Sequence, residues 1–203
     1  MDQASVDLVD DNRWLLDPAR ALAVMKQLLE PSTHSHPFQP SVQGNRALHW
    51  TVTHNQLQVL KAIAEDPRFS ATNEEWCTAF FRSIYLGHAD ILEYLLAVQQ
   101  ISVSYQYYNI GIQVAVGKYS VEIIKSLLEH SQDLTGSEIG AICNISLCQA
   151  VDRGNVDMVR VLLEDSRVDP NTRTNYPLRI AKEKGHVAIV ELLQQDSRVN
   201  WEV

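Results

Sequence analysis

The feature that most constrains this chain is an internal repeat. Four stretches align: His54-Asn55-Gln56-Leu57-Gln58-Val59-Leu60, Leu86-Gly87-His88-Ala89-Asp90-Ile91-Leu92, Arg153-Gly154-Asn155-Val156-Asp157-Met158-Val159 and Lys184-Gly185-His186-Val187-Ala188-Ile189-Val190. A weaker fifth is Lys118-Tyr119-Ser120-Val121-Glu122-Ile123-Ile124. The anchors Asn55, Gly87, Tyr119, Gly154 and Gly185 are separated by 32, 32, 35 and 31 residues. A fixed period of this length marks stacked supersecondary units, each too small to bury its own apolar face.

Each anchor suits a reversal between two helices. Glycine adopts the left-handed backbone that ends one helix at little cost, and asparagine is the next best choice. Tyr119 is a poor choice, so the third unit is expected to turn differently or under strain. After each anchor the apolar residues recur at helical spacing, as in Ala89, Ile91, Leu92, Leu95 and Leu96, or Val156, Met158, Val159, Leu162 and Leu163. Polar residues such as Asp90, Glu93, Asp157 and Glu164 fall between them, the pattern of a helix with one buried face. A shorter helix of roughly nine residues precedes each anchor, clearest at 78–86 and 145–153.

The period and the junctions resemble ankyrin repeats. That family carries Thr-Pro-Leu-His nine residues before Gly-His. The matching positions here read Arg46-Ala47-Leu48-His49, Thr78-Ala79-Phe80-Phe81, Ile110-Gly111-Ile112-Gln113, Ile145-Ser146-Leu147-Cys148 and Tyr176-Pro177-Leu178-Arg179. No unit keeps the whole signature. The fullest stretch is Leu162-Leu163-Glu164-Asp165-Ser166-Arg167-Val168-Asp169-Pro170-Asn171, running on to Tyr176-Pro177-Leu178. Asp196-Ser197-Arg198-Val199-Asn200 and Asp66-Pro67-Arg68-Phe69 echo it. The resemblance covers residues 42–200, strongest toward the C-terminus and weakest in the third unit. It implies an all-α solenoid of helix-turn-helix units with short hairpin loops. The units fall at about 42–73, 74–105, 106–140, 141–171 and 172–203.

Residues 1–41 precede these units. Asp17-Pro18 is a good helix start. Val24, Leu28 and Leu29 then repeat the outer-helix pattern, with Arg20 at the anchor position. A degenerate capping repeat at about 5–30 is expected, against the alternative of an unrelated helix packing there. Pro31 to Gly44, with three prolines, reads as a loop. The long 130–141 connection accounts for the 35-residue spacing, and its second half could begin the next inner helix early. Trp201 follows the last unit and could cover its open face.

Composition narrows function. The formal net charge of -8 opposes binding along a phosphate backbone, so no nucleic acid is expected. No apolar run approaches the ~18 residues of a membrane span. The first eleven residues hold four aspartates and no cation, unlike a signal or transit peptide. Cys77, Cys143 and Cys148 lie in apolar helical patterns, as reduced core thiols of a cytoplasmic protein would. Without a Cys-x-x-Cys pair, and with only His34-x-His36 as paired imidazoles, no metal or other cofactor is expected. Phosphate-loop, dinucleotide, metalloprotease and nucleophile-elbow motifs do not occur. His88 and His186 follow the anchor glycine, where the family uses histidine for helix–loop hydrogen bonds. Cys148 takes the tetrapeptide histidine position.

The resemblance thus implies a monomeric, non-catalytic module that binds a partner protein or peptide on its concave face. Carried over by position, the inner-helix sites are Thr53, His54, Tyr85, Leu86, Gly117, Lys118, Asp152, Arg153, Glu183 and Lys184. The hairpin-side sites are Val42, Gln43, Asn45, Glu74, Glu75, Cys77, Gln106, Tyr107, Asn109, Ala141, Ile142, Asn144, Thr172, Arg173 and Asn175. Tyr85 and Tyr107, rigid amphipathic aromatics, are candidate anchors. Trp76 and Tyr108 either join them or pack inward, and Tyr105 to Tyr108 is expected as a hairpin strand. The alternatives are a self-assembling structural unit and an enzyme with a cryptic loop-borne site. The loop sequences are similar in style to ankyrin proteins of amoebae, giant viruses and amoeba-growing bacteria, which implies an effector acting in host cytoplasm as one setting.

Overall fold

The structure is a computed structural model. It describes residues 40–200 except 68, 99–102 and 132–133, together with Ala19 and Ala23, which have helical backbone. Most of the expected cap at 5–30, most of the 31–44 loop, Arg68 and Trp201 lie outside the described residues. Between residues 40 and 200 the described residues form ten helices and no strand. They are α1 Pro40–Thr53, α2 Leu57–Ala64, α3 Asn73–Leu86, α4 Ala89–Ala97, α5 Tyr105–Gly117, α6 Val121–Glu129, α7 Gly136–Asp152, α8 Val156–Glu164, α9 Thr172–Glu183 and α10 Val187–Gln195. Odd-numbered helices lie before an anchor and are called inner; even-numbered ones are outer.

All five anchors are left-handed, with φ of 55° at Asn55, 77° at Gly87, 60° at Tyr119 and 71° at both Gly154 and Gly185. Tyr119 therefore makes the same turn as the glycines. It carries the strain of a Cβ in that region, while its ring stays 55% exposed. At Gly154 a side chain is doubly excluded, because a Cβ there would lie 2.8 Å from the His186 ring.

The inner helices start earlier than their apolar pattern suggests. Thr72 caps α3 and Thr135 caps α7, each in a reciprocal box with Glu75 or Glu138. The box satisfies amide donors at the helix start that would otherwise stay unpaired. The α7 start at Gly136 absorbs the extra residues of the 35-residue spacing. Tyr105 to Tyr108, expected as a strand, forms the first turn of α5. Its alternation of aromatic and polar residues is short enough to fit either period, and the backbone is helical from its start, Tyr108 N donating to Ser104 O at 3.2 Å. In α9, residues 173–175 are left-handed, so regular helix begins near Tyr176-Pro177. A proline there costs no intrahelical donor.

The chain divides into two compact units, Met1–Ile91 and Leu92–Val203. In the first, α1 packs on α2 and on α3. Leu48, Val52, Leu60, Ile63, Trp76, Phe80 and Ile84 are buried there. In the second, α5, α7 and α9 pack in sequence as one layer, and α6, α8 and α10 as another, with each inner helix against its own outer helix. Ile112, Ile123, Ile124, Leu127, Ile139, Leu147, Met158, Leu162 and Leu193 fill the space between them. Trp76 and Tyr108 pack inward, at 1% and 4% exposure, and so cannot serve as surface anchors.

The Asp-Ser-Arg-Val turns couple successive pairs in the second unit. Arg167 forms a two-point pair with Asp165 (Nε–Oδ1 2.9 Å, Nη2–Oδ2 2.6 Å). The same guanidinium donates to Leu128 O at 3.0 Å and Ser131 Oγ at 2.9 Å, at the end of α6. Arg198 repeats the device. It pairs with Asp196 and donates to Leu163 O at 2.7 Å, in the last turn of α8, and to Val168 O at 2.9 Å, beyond its end. Each arginine thus closes the carbonyl end of the preceding outer helix, whose last acceptors lack intrahelical partners. Gly140 of α7 fits against this turn; a Cβ there would come within 2.7 Å of Arg167 O. Farther out, Asn144 Oδ1 accepts from Asp169 N, and Asn171 Oδ1 accepts from Asn200 N, both at 2.7 Å.

The turns and the arginine pairs have consequences that chemical denaturation measures. Tyr119→Gly relieves the left-handed strain at little loss of packing and stabilises the protein by up to about 1 kcal/mol, after the entropy cost of the added glycine. Gly154→Ala, with strain and a blocked Cβ, destabilises it by more than that. Arg167→Ala or Arg198→Ala each costs about 2 kcal/mol, since several charge-assisted bonds and the partner carboxylate lose their complement. The guanidiniums hold the Asp165 and Asp196 carboxyls below the usual carboxylate range, chiefly through their hydrogen bonds. Their contribution is full above the unfolded carboxylate pKa of about 4 and is lost as pH falls through the lowered native values. Asp165→Asn with Asp196→Asn therefore loses stability at neutral pH and has a shallower acid-unfolding limb than the wild type.

Candidate functional site

In the first unit, Tyr85 and Leu86 at the end of α3 are exposed, Tyr85 by 60%. Thr53 and His54 are engaged locally. Thr53 Oγ1 donates to His49 O at 2.6 Å and accepts from Arg82 Nη1 at 3.0 Å. The His54 ring stacks on Trp50 with centroids 4.6 Å apart. Glu75 is spent on the α3 capping box, whereas Glu74 is exposed in the same turn. His88 Nδ1 lies 2.8 Å from Val52 O and, facing a carbonyl, carries its proton there. That contact ties the turn after α3 to the end of α1, the structural role the family resemblance implies.

In the second unit, Gln106 is exposed in the first turn of α5 and Tyr107 beside it is half-buried. Lys118, Arg153 and Lys184 are the C-cap residues of α5, α7 and α9. Cations suit that position because the helix dipole leaves partial negative charge on the last carbonyls. Two of them also bridge inner helices. Arg153 Nη1 donates to Val116 O at 3.4 Å, and Lys184 Nζ meets Asp152 at its carbonyl (3.0 Å) and its carboxylate (2.8 Å). Asp152 is therefore held by Lys184, and Glu183 is exposed next to it. Arg173 is exposed in the left-handed turn before Tyr176.

Of the hairpin-side positions, Val42, Gln43 and Asn45 belong to α1, and Ala141, Ile142 and Asn144 to the middle of α7. Cys77, Ile142 and Asn175 are buried, which removes them from a contact surface. The displacement follows from the early helix starts: positions counted onto a hairpin fall on a helix, and every third or fourth one turns into the core.

Residues not singled out as sites add to the surface. Ile110 and Ile145 are exposed by 49% and 37%. They occupy the same tetrapeptide position in α5 and α7, where the family pattern has threonine. The signal was in the sequence, as isoleucine at a position that helical periodicity turns outward. Arg179, exposed on α9, lies 5.7 Å from the Tyr176 ring centroid.

Burial pushes the Cys143 thiol up to about 12 and raises Cys148 as well, so neither supplies a thiolate near neutral pH. Burial also lowers the His49 imidazole. Among the described residues no group of three or more His, Cys, Asp or Glu could hold a metal ion. No helix among them is long and apolar enough to cross a membrane.

A family model described as ankyrin repeats (3 copies) matches residues 112–202. No curated protein and no solved structure matches the chain. The matched segment holds three of the left-handed anchors and both arginine clasps, and the two anchors before it have the same backbone. Residues 112–202 are thus divergent ankyrin repeats, and the described residues before them are helical as well.

Proposed function

We propose that this protein is a non-catalytic binding module that recognises a partner protein or peptide on the exposed face of its inner helices. One observation carries the reading. Among the described residues, four of the six large apolar side chains left exposed (Tyr85, Leu86, Ile110 and Ile145) stand on inner helices. The exposed positions of the outer helices are instead mostly charged: Asp90, Glu93, Glu122, Lys125, Glu129, Asp157, Arg160, Glu164 and Glu191. Apolar side chains presented on the packed helices of each unit supply contact area at little ordering cost, while the charged outer positions keep their water. The buried thiols of Cys77, Cys143 and Cys148, none of them in a disulfide, support work in a reducing compartment such as the cytoplasm.

The test compares capture of a partner from cytosolic extract by the intact chain and by folded variants, quantified by mass spectrometry and then by titration. Tyr85→Ala with Tyr107→Ala, and separately Ile110→Ser with Ile145→Ser, are expected to weaken capture by about 2 kcal/mol or more, roughly thirtyfold. Lys125→Ala on the outer helix α6 leaves it unchanged. Undiminished capture by both inner-helix variants removes this reading. Loss on Lys125→Ala moves the site to the outer layer.

A further inference from the structure

The second unit combines two rows of residues that the first does not. Ile110, Ile145 and Tyr176 occupy one equivalent position in α5, α7 and α9. Eight residues on, about two turns away, stand Lys118, Arg153 and Lys184 at the ends of the same helices. In the first unit the corresponding positions read Arg46 and Thr78, then His54 and Leu86, with neither an apolar row nor a cationic one. Arg179 adds a further exposed cation on α9. The carboxylates of this layer near the cations are Asp152, already held by Lys184, and Glu183.

The charge balance is therefore local. The chain as a whole is at -8, which repels acidic partners from most of its surface. On the inner helices of the second unit, which carry the exposed isoleucines, cations outnumber carboxylates. Arg153 spends one donor on Val116 O at 3.4 Å, out of the five its guanidinium carries. The geometry points to an acidic peptide segment bearing large apolar side chains as the occupant of this face. The apolar side chains meet Ile110 and Ile145, and the carboxylates meet Arg153, Arg179 and the neighbouring lysines. Packed helices lie about 8–10 Å apart, so an extended segment, at about 3.3 Å per residue, crosses from one isoleucine to the next in about three residues. This inference rests on the inner-helix reading of function and specifies its partner.

The experiment is selection of a random peptide library displayed on phage against the intact full-length chain, followed by anisotropy titration of the enriched peptides in low and high salt. The enriched sequences are expected to be acidic, with aliphatic or aromatic residues about three apart, and to bind less tightly as salt rises. Arg179→Glu and Ile145→Ser, each checked for a native circular dichroism spectrum, are expected to weaken them about tenfold or more. Arg179→Lys, which keeps the charge, retains most of the binding. Enrichment of basic or neutral peptides, enrichment of none, or binding that survives both substitutions overturns the inference. Capture of a folded protein that still depends on Tyr85, Tyr107, Ile110 or Ile145 would then show that the inner face binds something else. Loss of that dependence as well would end the broader reading too.

Discussion

Each helix pair depends on one residue held in the left-handed region between its two helices. That residue reverses the chain in a few atoms, and in α1–α2, α5–α6, α7–α8 and α9–α10 the inner helix packs against its outer helix. Three of the five positions use glycine and one uses asparagine, the residues that pay least for the conformation. Tyr119 shows the strength of the constraint. The pair α5–α6 keeps the turn although its residue is unsuited, because burying Ile112, Ile123, Ile124 and Leu127 outweighs a local strain of order 1–2 kcal/mol.

The turns build pairs, and polar side chains join pairs to one another. Arg167 and Arg198 are each oriented by an aspartate two residues back and each reach the terminal carbonyls of the previous outer helix. Arg153 and Lys184 likewise reach terminal carbonyls of the preceding inner helix, without an aspartate two residues back. Cations at helix C-termini therefore do structural work throughout the second unit, and several residues suited by type to contact a partner are partly spent on holding neighbours. What remains for recognition is the apolar side chains between them, and the donors those cations do not use.

The fold was largely legible in the chain. The 31–35-residue spacing, the apolar periodicity after each anchor and the left-handed preference of glycine are local properties, readable without knowing what touches what. The site was less so. Glu75 looked like a surface carboxylate, but its position three residues after Thr72 commits it to a capping box. Cys77 and Ile142 were counted onto a hairpin and fell on helices, facing inward. Ile110 and Ile145 were visible as repeat positions, yet whether an apolar side chain at a helix position is covered depends on the neighbouring helix.

The sequence by itself determined the all-α repeat, its period, the family resemblance and the inward stripe of each outer helix, because these follow from residue types at fixed short spacings. Only the tertiary structure decided where the inner helices begin, that Tyr119 turns like glycine, and which side chains remain exposed. Those outcomes depend on a balance between local preference and burial against elements about thirty residues away. A one-dimensional pattern records the preference and not the burial. For the same reason the Asp-x-Arg turn reads in sequence as an ordinary loop motif, and only packing reveals it as the clasp between one helix pair and the next.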